Sequence, residues 1–359
     1  MALRFGVVGT GHWARTTHAA TLARLAGEGT VALGGLWGRD RGRTAAAAEA
    51  VGTTAYPSFS ALLADVDAVT FAVPPDVQAA LAAEAAAAGR HVLLEKPVAA
   101  DVEAARALES AVRAAGVSSA VFFTRRYDPA TSAWLAEACA AGGWTGGHGE
   151  WSARVAGGPY AESAWRRELG ALWDVGAHAL GLMLPVLGDV VAVEAAAGPG
   201  DTTHLVLRHV TGASSTVTLS MTVPEAAKAQ ELVFYGTNGR TRIPETRFDA
   251  SECFANAVVG LARSADEDEA DIPDVRFGRR VVEVLAAAST SRLSAHPVEV
   301  PMDTQGQADD RLAEVERKLA EMDARYGISP DVKTAIVPEE VADERRALVE
   351  ERRRLSGEQ

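Results

Sequence analysis

The sequence has 359 residues, a formal net charge of −13 and 48% hydrophobic residues. This length predicts two domains with an appendage, and the negative charge argues against nucleic acid or an anionic membrane as the main partner. We expect no apolar run long enough to cross a bilayer. The cysteines, Cys139 and Cys253, are far apart and lack metal-ligand spacing, so we expect buried fillers without a disulfide or a metal. These features predict a cytoplasmic protein with a small-molecule partner.

The first part of the chain alternates short apolar runs with alanine-rich helical segments. The helix predicted at 102–115 lies between a capping residue, Asp101, and Gly116, where a left-handed cap is expected. Such alternation predicts a parallel, doubly wound sheet in a domain covering residues 1–125. The predicted strands are 3–9, 31–37, 68–73, 91–94 and 117–123.

Residues 126–303 have a different pattern, in which strands are joined by turns instead of helical crossovers. Polar and apolar residues alternate strictly over 216–223, which predicts a half-buried, antiparallel strand. A second α/β domain with an open, mainly antiparallel sheet is therefore expected. Its other predicted elements are strands at 202–210 and 231–235 and helices at 129–141, 251–264 and 277–293.

Residues 304–359 form a charge-dense appendage. Apolar residues recur there at three- and four-residue steps, the spacing of a two-helix contact. A helical hairpin is expected, either docked on its own subunit or a neighbour or extending as a solvated tail. The first stripe is Leu312, Val315, Leu319, Met322 and Tyr326, ended by Gly327 and Pro330; the second helix follows Pro338 and carries Val341, Leu348 and Leu355.

A glycine-containing turn follows the first strand and opens a helix, where a dinucleotide fingerprint belongs. Gly9 allows the tight turn, and Gly11 lets the backbone approach a pyrophosphate at the helix N-terminus. We predict that the cofactor contacts Gly9, Thr10, Gly11, His12 and Trp13. The alternative is a purely structural turn.

The end of the second strand lacks the acid that usually holds the ribose of NAD. Gly38 leaves room for a 2'-phosphate, and Arg39, with Arg41 or Arg43 behind it, can pair with that phosphate. NADP is therefore the expected cofactor. Asp40 keeps NAD possible, and the alternative interpretation of the arginines is a solvated cluster.

Three ionisable residues are candidates for catalysis. Lys96 follows an apolar run at a strand end, where ligands bind in open α/β sheets. Asp174 and His178 are four residues apart on an apolar helix and therefore share a face. Each has an alternative: Lys96 as a surface residue, Asp174 as a helix-terminal acid and His178 as a satisfied core histidine. Together they can supply a hydroxyl-orienting donor, a charge partner and a general base.

The chain resembles the Gfo/Idh/MocA oxidoreductases over residues 3–302. The matching segments are residues 9–14, 73–76, 95–97, 125–129 and 170–178. The resemblance implies a Rossmann domain followed by an α/β domain, with the active site between them and catalysis by Lys96, Asp174 and His178. It adds Pro74, Glu95 and Lys96 to the cofactor contacts, and a Lys96–Pro97 bond that is often cis.

Two departures from the family pattern concern the substrate more than the reaction. Glu168 and Leu169 stand where glycines usually precede Gly170, and Gly181 replaces an acid often found three residues after the histidine. The resemblance also implies a homo-oligomer, dimer or tetramer, to which the Thr/Ser face of residues 216–222 contributes.

The expected function is hydride transfer between NADP, or NAD, and a sugar, inositol or related polyol or cyclic ketone. One alternative is a dinucleotide-dependent glycosidase of the same family. Another is a non-catalytic dinucleotide-binding sensor or regulator, since one fold hosts many functions.

Overall fold

The computed structural model describes residues 2–155, 157–267, 272–302, 304–326 and 339–356. Its contacts divide the chain into two compact units, Met1–Val300 and Pro301–Gln359. The first unit contains two sheets. The predicted boundary near residue 125 lies inside this unit and stays a prediction.

The first sheet has six strands, all parallel to their neighbours, in the order β3-β2-β1-β4-β5-β6. Helices connect the strands, so the predicted doubly wound sheet is confirmed. The two-residue β3 was missed because it is short and exposed. The elements are β1 Arg4–Val8, α1 Ala20–Gly27, β2 Ala32–Trp37, α2 Arg41–Ala50, β3 Thr54–Ala55, α3 Phe59–Leu63, β4 Ala68–Phe71, α4 Pro75–Ala87, β5 His91–Glu95, α5 Val102–Ala115 and β6 Ser119–Phe122.

Helix α5 has the predicted start and end. The Asp101 carboxylate accepts the N–H of Ala104 at 2.8 Å, and Gly116 has the left-handed φ of 62° that closes the helix. A capping side chain and a glycine at these two positions satisfy terminal backbone groups that the helix cannot pair internally.

The second sheet has seven strands in the order β12-β11-β7-β10-β9-β8-β13, and helices pack against it. Five of its six strand pairs are antiparallel, as predicted for this domain. The elements are α6 Pro129–Ala141, β7 Trp144–Ser152, α7 Ala164–Leu187, β8 Val190–Ala197, β9 Thr203–His209, β10 Ser214–Ser220, β11 Ala229–Gly236, β12 Gly239–Arg242, α8 Ala250–Glu267, α9 Val275–Ser294 and β13 Val298–Glu299.

The strand predicted at 216–223 needs a correction. It is β10, which starts two residues earlier and pairs antiparallel with β9 but parallel with β7. The parallel partner comes from a distant part of the chain, so the local alternation of polar and apolar residues could not reveal it.

Strand β7 is glycine-rich and was not among the predicted strands. A Cβ on Gly146 would lie 2.6 Å from the Tyr235 hydroxyl, and one on Gly149 would lie 2.5 Å from a Leu232 methyl carbon. These glycines therefore let large side chains of β11 lie close over β7 in the middle of the sheet.

Helix α7 is the central helix against the second sheet. Of the described residues, those of α7 form the one helix long and apolar enough to span a bilayer, which corrects the expectation of no such run. It is mostly buried inside the fold, as core helices are. Gly170 has φ 68° and ψ −165°, so the helix breaks there and restarts at Ala171.

The second unit is a pair of helices, α10 Thr304–Tyr326 and α11 Glu339–Ser356. Val315, Leu319 and Leu348 are buried between them, and Arg345 pairs with Asp323 at 2.6 Å. These contacts agree with the predicted hairpin. Gly327, Pro330, Pro338 and the side chain of Leu312, to which predictions were also attached, lie outside the described residues.

The cysteines differ from each other. Cys253 is buried, and burial raises the pKa of its thiol to about 12, which agrees with an inert filler. Cys139 is exposed, which corrects the expectation that both are buried. Helix α6 places it on the solvent side of the helix.

Candidate active site

The glycine turn after β1 has the geometry that a dinucleotide requires. Gly9 has φ 127°, and a Cβ there would lie 2.5 Å from the carbonyl oxygen of Ala72, so only glycine fits. A Cβ on Gly11 would meet nothing within 4 Å. The backbone at Gly11 therefore faces open space, as expected if a pyrophosphate approaches there.

The helix after the turn begins with a π-helical segment, Ala14–Ala19, a distortion that the sequence did not predict. Such segments are frequent at functional sites. Here Trp13 donates its indole N–H to the Glu95 carboxylate at 2.5 Å, and a buried histidine, His18, lies 3.1 Å from the same oxygen. Two predicted cofactor residues, Trp13 and Glu95, are thus brought together.

His18 is a site residue that the sequence reasoning missed. Its other ring nitrogen lies 2.8 Å from the Thr70 hydroxyl, and its ring stacks on Phe254 at 4.1 Å. From sequence alone, a single histidine on an apolar helix face is a core residue as readily as a site residue.

The NADP prediction rests on residues at the end of β2. A Cβ on Gly38 would lie 2.8 Å from the Thr10 side chain, so this glycine is required for packing as well as for any room it leaves a ligand. Asp40 accepts the backbone N–H of Arg43 and caps α2. Arg39 is exposed and makes no ion pair with the residues that the structure describes.

The turn that carries Lys96 is held by a buried glutamine. Gln78 on α4 accepts the N–H of Glu95 at 2.8 Å and donates to the carbonyl oxygens of Glu95 and Val98 at 2.7 and 3.2 Å. The Lys96–Pro97 bond is cis. Pro74, predicted to contact the cofactor, is the residue from which α4 starts. Gln78 was missed because α4 is alanine-rich and has no polar pattern.

Lys96 and Asp174 form a buried ion pair. Lys96 follows β5 of the first sheet, and Asp174 lies on α7, which packs against the second sheet. The Lys96 ammonium lies 2.5 Å from the Asp174 carboxylate and 3.1 Å from its carbonyl oxygen. Arg166 donates to the other carboxylate oxygen at 2.7 Å. Because of the break at Gly170, Asp174 lies in the first turn of the restarted helix, where a negative charge is favoured.

The pKa of Asp174 is set by opposing effects. Burial raises the pKa, but the charges of Lys96 and Arg166 outweigh burial and hold it well below its ordinary value. Asp174 is therefore ionised at all physiological pH values.

His178 lies one helical turn after Asp174 and is half-buried, with its ring stacked on Trp151 at 5.9 Å between centroids and 8° between planes. Burial, together with the positive charge of Lys96, lowers the pKa of His178 well below its ordinary value. The ring makes no hydrogen bond to any residue within the described ranges. The lowered pKa favours the neutral ring, and its nitrogens have no hydrogen-bond partner in those ranges.

Arg166 and Tyr160 are further residues at this site that the sequence reasoning missed. The Arg166 guanidinium lies 4.8 Å from the Tyr160 ring, and that ring contacts the rings of His12 and Trp13 edge-on at 6.0 and 6.3 Å. Burial raises the pKa of Tyr160. Tyr160 precedes α7, and Arg166 lies in the short first segment of α7 before the break at Gly170, where the sequence has no periodic pattern.

The departures from the family pattern have visible consequences. A Cβ on Gly181 would lie 2.8 Å from the Phe123 ring, so the acid often found at this position has no room beside this phenylalanine. Glu168 is exposed to solvent just before the break in α7.

Two family models match the chain. Residues 3–123 match the oxidoreductase family with an NAD-binding Rossmann fold, and residues 136–242 match the Gfo/Idh/MocA C-terminal domain. Together they cover more than half of the sequence.

Individual relatives extend this result. The chain is 36% identical over 128 residues to UDP-N-acetylglucosamine 3-dehydrogenase of Acidithiobacillus ferrooxidans, covering 36% of this chain and 39% of that protein. It is 40% identical over 96 residues to D-xylose 1-dehydrogenase (NADP(+)) 2 of Haloferax volcanii, covering 26% and 30%. These alignments span well under half of the curated relatives.

Structural similarity covers more of the chain. The WlbA dehydrogenase of Bordetella pertussis, solved with NADH and UDP-GlcNAcA, superposes with a TM-score of 0.72 at 23% identity over 84% of this chain and 100% of that one. At this identity the likeness concerns the fold. The two family models, the order of the two sheets and the matching motifs together show that the chain belongs to the Gfo/Idh/MocA family of NAD-binding oxidoreductases.

Proposed function

We propose that the protein is a nicotinamide-dependent dehydrogenase or reductase acting on a hydroxyl carbon of a sugar, an inositol or a related cyclic alcohol. The observation that carries this proposal is the buried Lys96–Asp174 pair with His178 one turn away, beside the glycine turn. This arrangement places a hydrogen-bond donor, a fixed negative charge and a neutral base at one site.

Each residue has a role that follows from its contacts. The Lys96 ammonium has three N–H donors and gives two to Asp174, so the third is available to orient a substrate oxygen. His178 accepts the hydroxyl proton during oxidation and returns it during reduction. Asp174 holds the Lys96 side chain in place.

The cofactor's nicotinamide supplies the hydride acceptor or donor. The open space at Gly11 and the required glycine at Gly9 fit a bound dinucleotide. The residues that would hold it are Gly9, Thr10, Gly11, His12, Trp13, Gly38, Arg39, Pro74, Glu95 and Lys96.

Two curated relatives support a sugar-like substrate, since they are named for a nucleotide sugar and for D-xylose. Neither the glycosidase nor the sensor finds support among them. The test is a screen of sugars, inositols and keto-sugars with both nucleotides, followed by the absorbance of reduced nicotinamide. Binding of nucleotide without turnover of any compound would favour the sensor.

We propose NADP as the preferred cofactor, because Arg39 is exposed at the end of β2 without an ion pair to a described residue. Arg39→Ala should weaken NADP binding about 10-fold or more, the usual size of a charge-assisted bond. Binding of NAD, which lacks the 2'-phosphate, should change little and is the internal control. Calorimetric titration measures both, and equal wild-type affinities for the two would refute the preference.

We propose a cytoplasmic homo-oligomer formed through the outer face of the second sheet. Val206 and Tyr235 are exposed there at 44% and 46%, as is Thr216. Ser220, also assigned to this face, is buried and donates to Asp201 at 2.8 Å. Light scattering at micromolar concentration should give a dimer or tetramer, and Val206→Glu should lower the mass. A monomeric wild type would contradict the proposal.

A further inference from the structure

Arg166 stands beside the proposed catalytic residues but has donors that they do not use. Its Nε donates to Asp174 at 2.7 Å, and its Nη1 makes a long contact of 3.3 Å with the Ser163 hydroxyl. Its Nη2 has no partner among the residues that the structure describes. The N–H groups of Nη2 and the second N–H of Nη1 are therefore left for a ligand, and two such donors side by side suit an oxyanion.

The guanidinium is held in place before any ligand binds. Its central carbon lies 4.8 Å from the centre of the Tyr160 ring and 4.4 Å from that of Trp165. The hydrogen bond from Nε to Asp174 further restricts its orientation. The side chain keeps 21% of its surface exposed. A group that is both fixed in orientation and accessible binds a ligand with little loss of conformational entropy.

Local charge also favours an anion. Asp174 carries one negative charge and contacts two cations, Lys96 and Arg166, so this trio has an excess of one positive charge. Glu95 adds a carboxylate nearby, which is bonded to Trp13 and His18 and forms no ion pair with Lys96 or Arg166 among the described residues. Arg166 and Lys96 thus present a positive edge next to the proposed base.

We propose that Arg166 forms an anion subsite, so that the alcohol substrate carries a carboxylate or phosphate group close to the reacting carbon. This inference rests on the proposed function and names the substrate class: sugar acids or sugar phosphates are preferred over neutral sugars. Lys96 and His178 act on the hydroxyl, and Arg166 holds the anionic group.

The chain offers a matched control in the next residue. Arg167 has a side chain 61% exposed and pairs with Glu162. Arg167→Ala removes the same charge from the same segment but leaves the Asp174 contact intact. Arg166→Lys keeps the positive charge but cannot form the bidentate pair of hydrogen bonds.

The experiment compares wild type, Arg166→Ala, Arg166→Lys and Arg167→Ala on matched sets of compounds, such as glucose, glucuronate and glucose 6-phosphate and the corresponding galactose series. Wild type should favour an anionic member of a set. Arg166→Ala should raise KM for that compound about 10- to 100-fold, the size expected for a hydrogen bond to a charged group. Arg166→Lys should recover part of the loss, and Arg167→Ala should match wild type.

Several outcomes would overturn the subsite. In one, wild type uses neutral sugars as well as their anionic counterparts. In another, Arg166→Ala loses activity on neutral and anionic compounds equally, as expected for a structural residue. Weaker binding of the nucleotide by Arg166→Ala would show that Arg166 contacts the cofactor and not an anionic group of the substrate.

Binding separates this inference from the proposed reaction. Calorimetric titration of the same compounds into the NADPH- and NADH-loaded protein needs no turnover. Arg166-dependent binding of a sugar acid or phosphate without oxidation would support the subsite and contradict the dehydrogenase. Turnover of neutral sugars, with no binding of any anionic sugar, would support the dehydrogenase and contradict the subsite.

Discussion

Replacing His178 by alanine is expected to lower kcat for alcohol oxidation by about 10²- to 10⁴-fold, the usual contribution of a general base. The reason is that the neutral ring of His178 lies one helical turn from the Lys96–Asp174 pair and makes no hydrogen bond to a described residue. Steady-state kinetics with the best substrate of the screen measures the effect.

The control variant for this prediction is His296→Ala, because His296 is exposed on a surface turn away from the site. Nucleotide binding by the His178 variant should stay close to wild type, which shows that the fold is intact. Turnover like that of wild type in His178→Ala would remove His178 from the mechanism.

The pH dependence of the wild type follows from the same residue. Burial, with the charge of Lys96, lowers the pKa of His178 below its ordinary value, so the base form persists as pH falls through that value. Oxidation should therefore stay at its plateau near pH 6.5, the pKa of an unperturbed histidine, and decline only at lower pH. A decline of kcat/KM that is already half complete at about pH 6.5 would contradict a lowered pKa.

Local patterns predicted most of the first sheet. Each strand of β1, β2, β4, β5 and β6 is an apolar run bounded by helical segments, so hydrophobic pattern and chain order were sufficient. The second sheet was harder to predict. Strand β7 is glycine-rich because large side chains of a distant strand lie over it, and a contact between distant segments leaves no mark in the local sequence.

Among the site residues, too, those marked by a local pattern were predicted and those defined by other contacts were not. Lys96, Asp174 and His178 were found because a strand end and a helical spacing mark them. Gln78 and His18 were missed, since their importance comes from hydrogen bonds to Glu95, 17 and 77 residues away. Arg166 was missed because it bonds Asp174 across the break at Gly170, which no helical spacing marks. Sequence reasoning thus predicts residues that repeat a pattern and misses those that support them.

Lys96→Met is expected to lower kcat by about 10²- to 10³-fold, as does the loss of one donor to a developing oxyanion. Methionine has a similar length and no charge, so the buried space stays filled. Asp174 keeps its bond to Arg166 at 2.7 Å, and the carboxylate is not left without a partner. The loss then reports the missing donor to the substrate oxygen, and it should appear in kcat more than in nucleotide binding.

The pH profile of Lys96→Met gives a second, independent readout. The charge of Lys96 is, after burial, the largest cause of the lowered pKa of His178. Removing it should raise that pKa, although burial keeps it below the ordinary value, so the acid decline of kcat/KM should move to higher pH. Arg167→Ala, which removes an exposed charge instead, should leave the decline in place. A Lys96→Met profile that coincides with wild type would show that the two side chains are not coupled, and Lys96 would then be a structural residue.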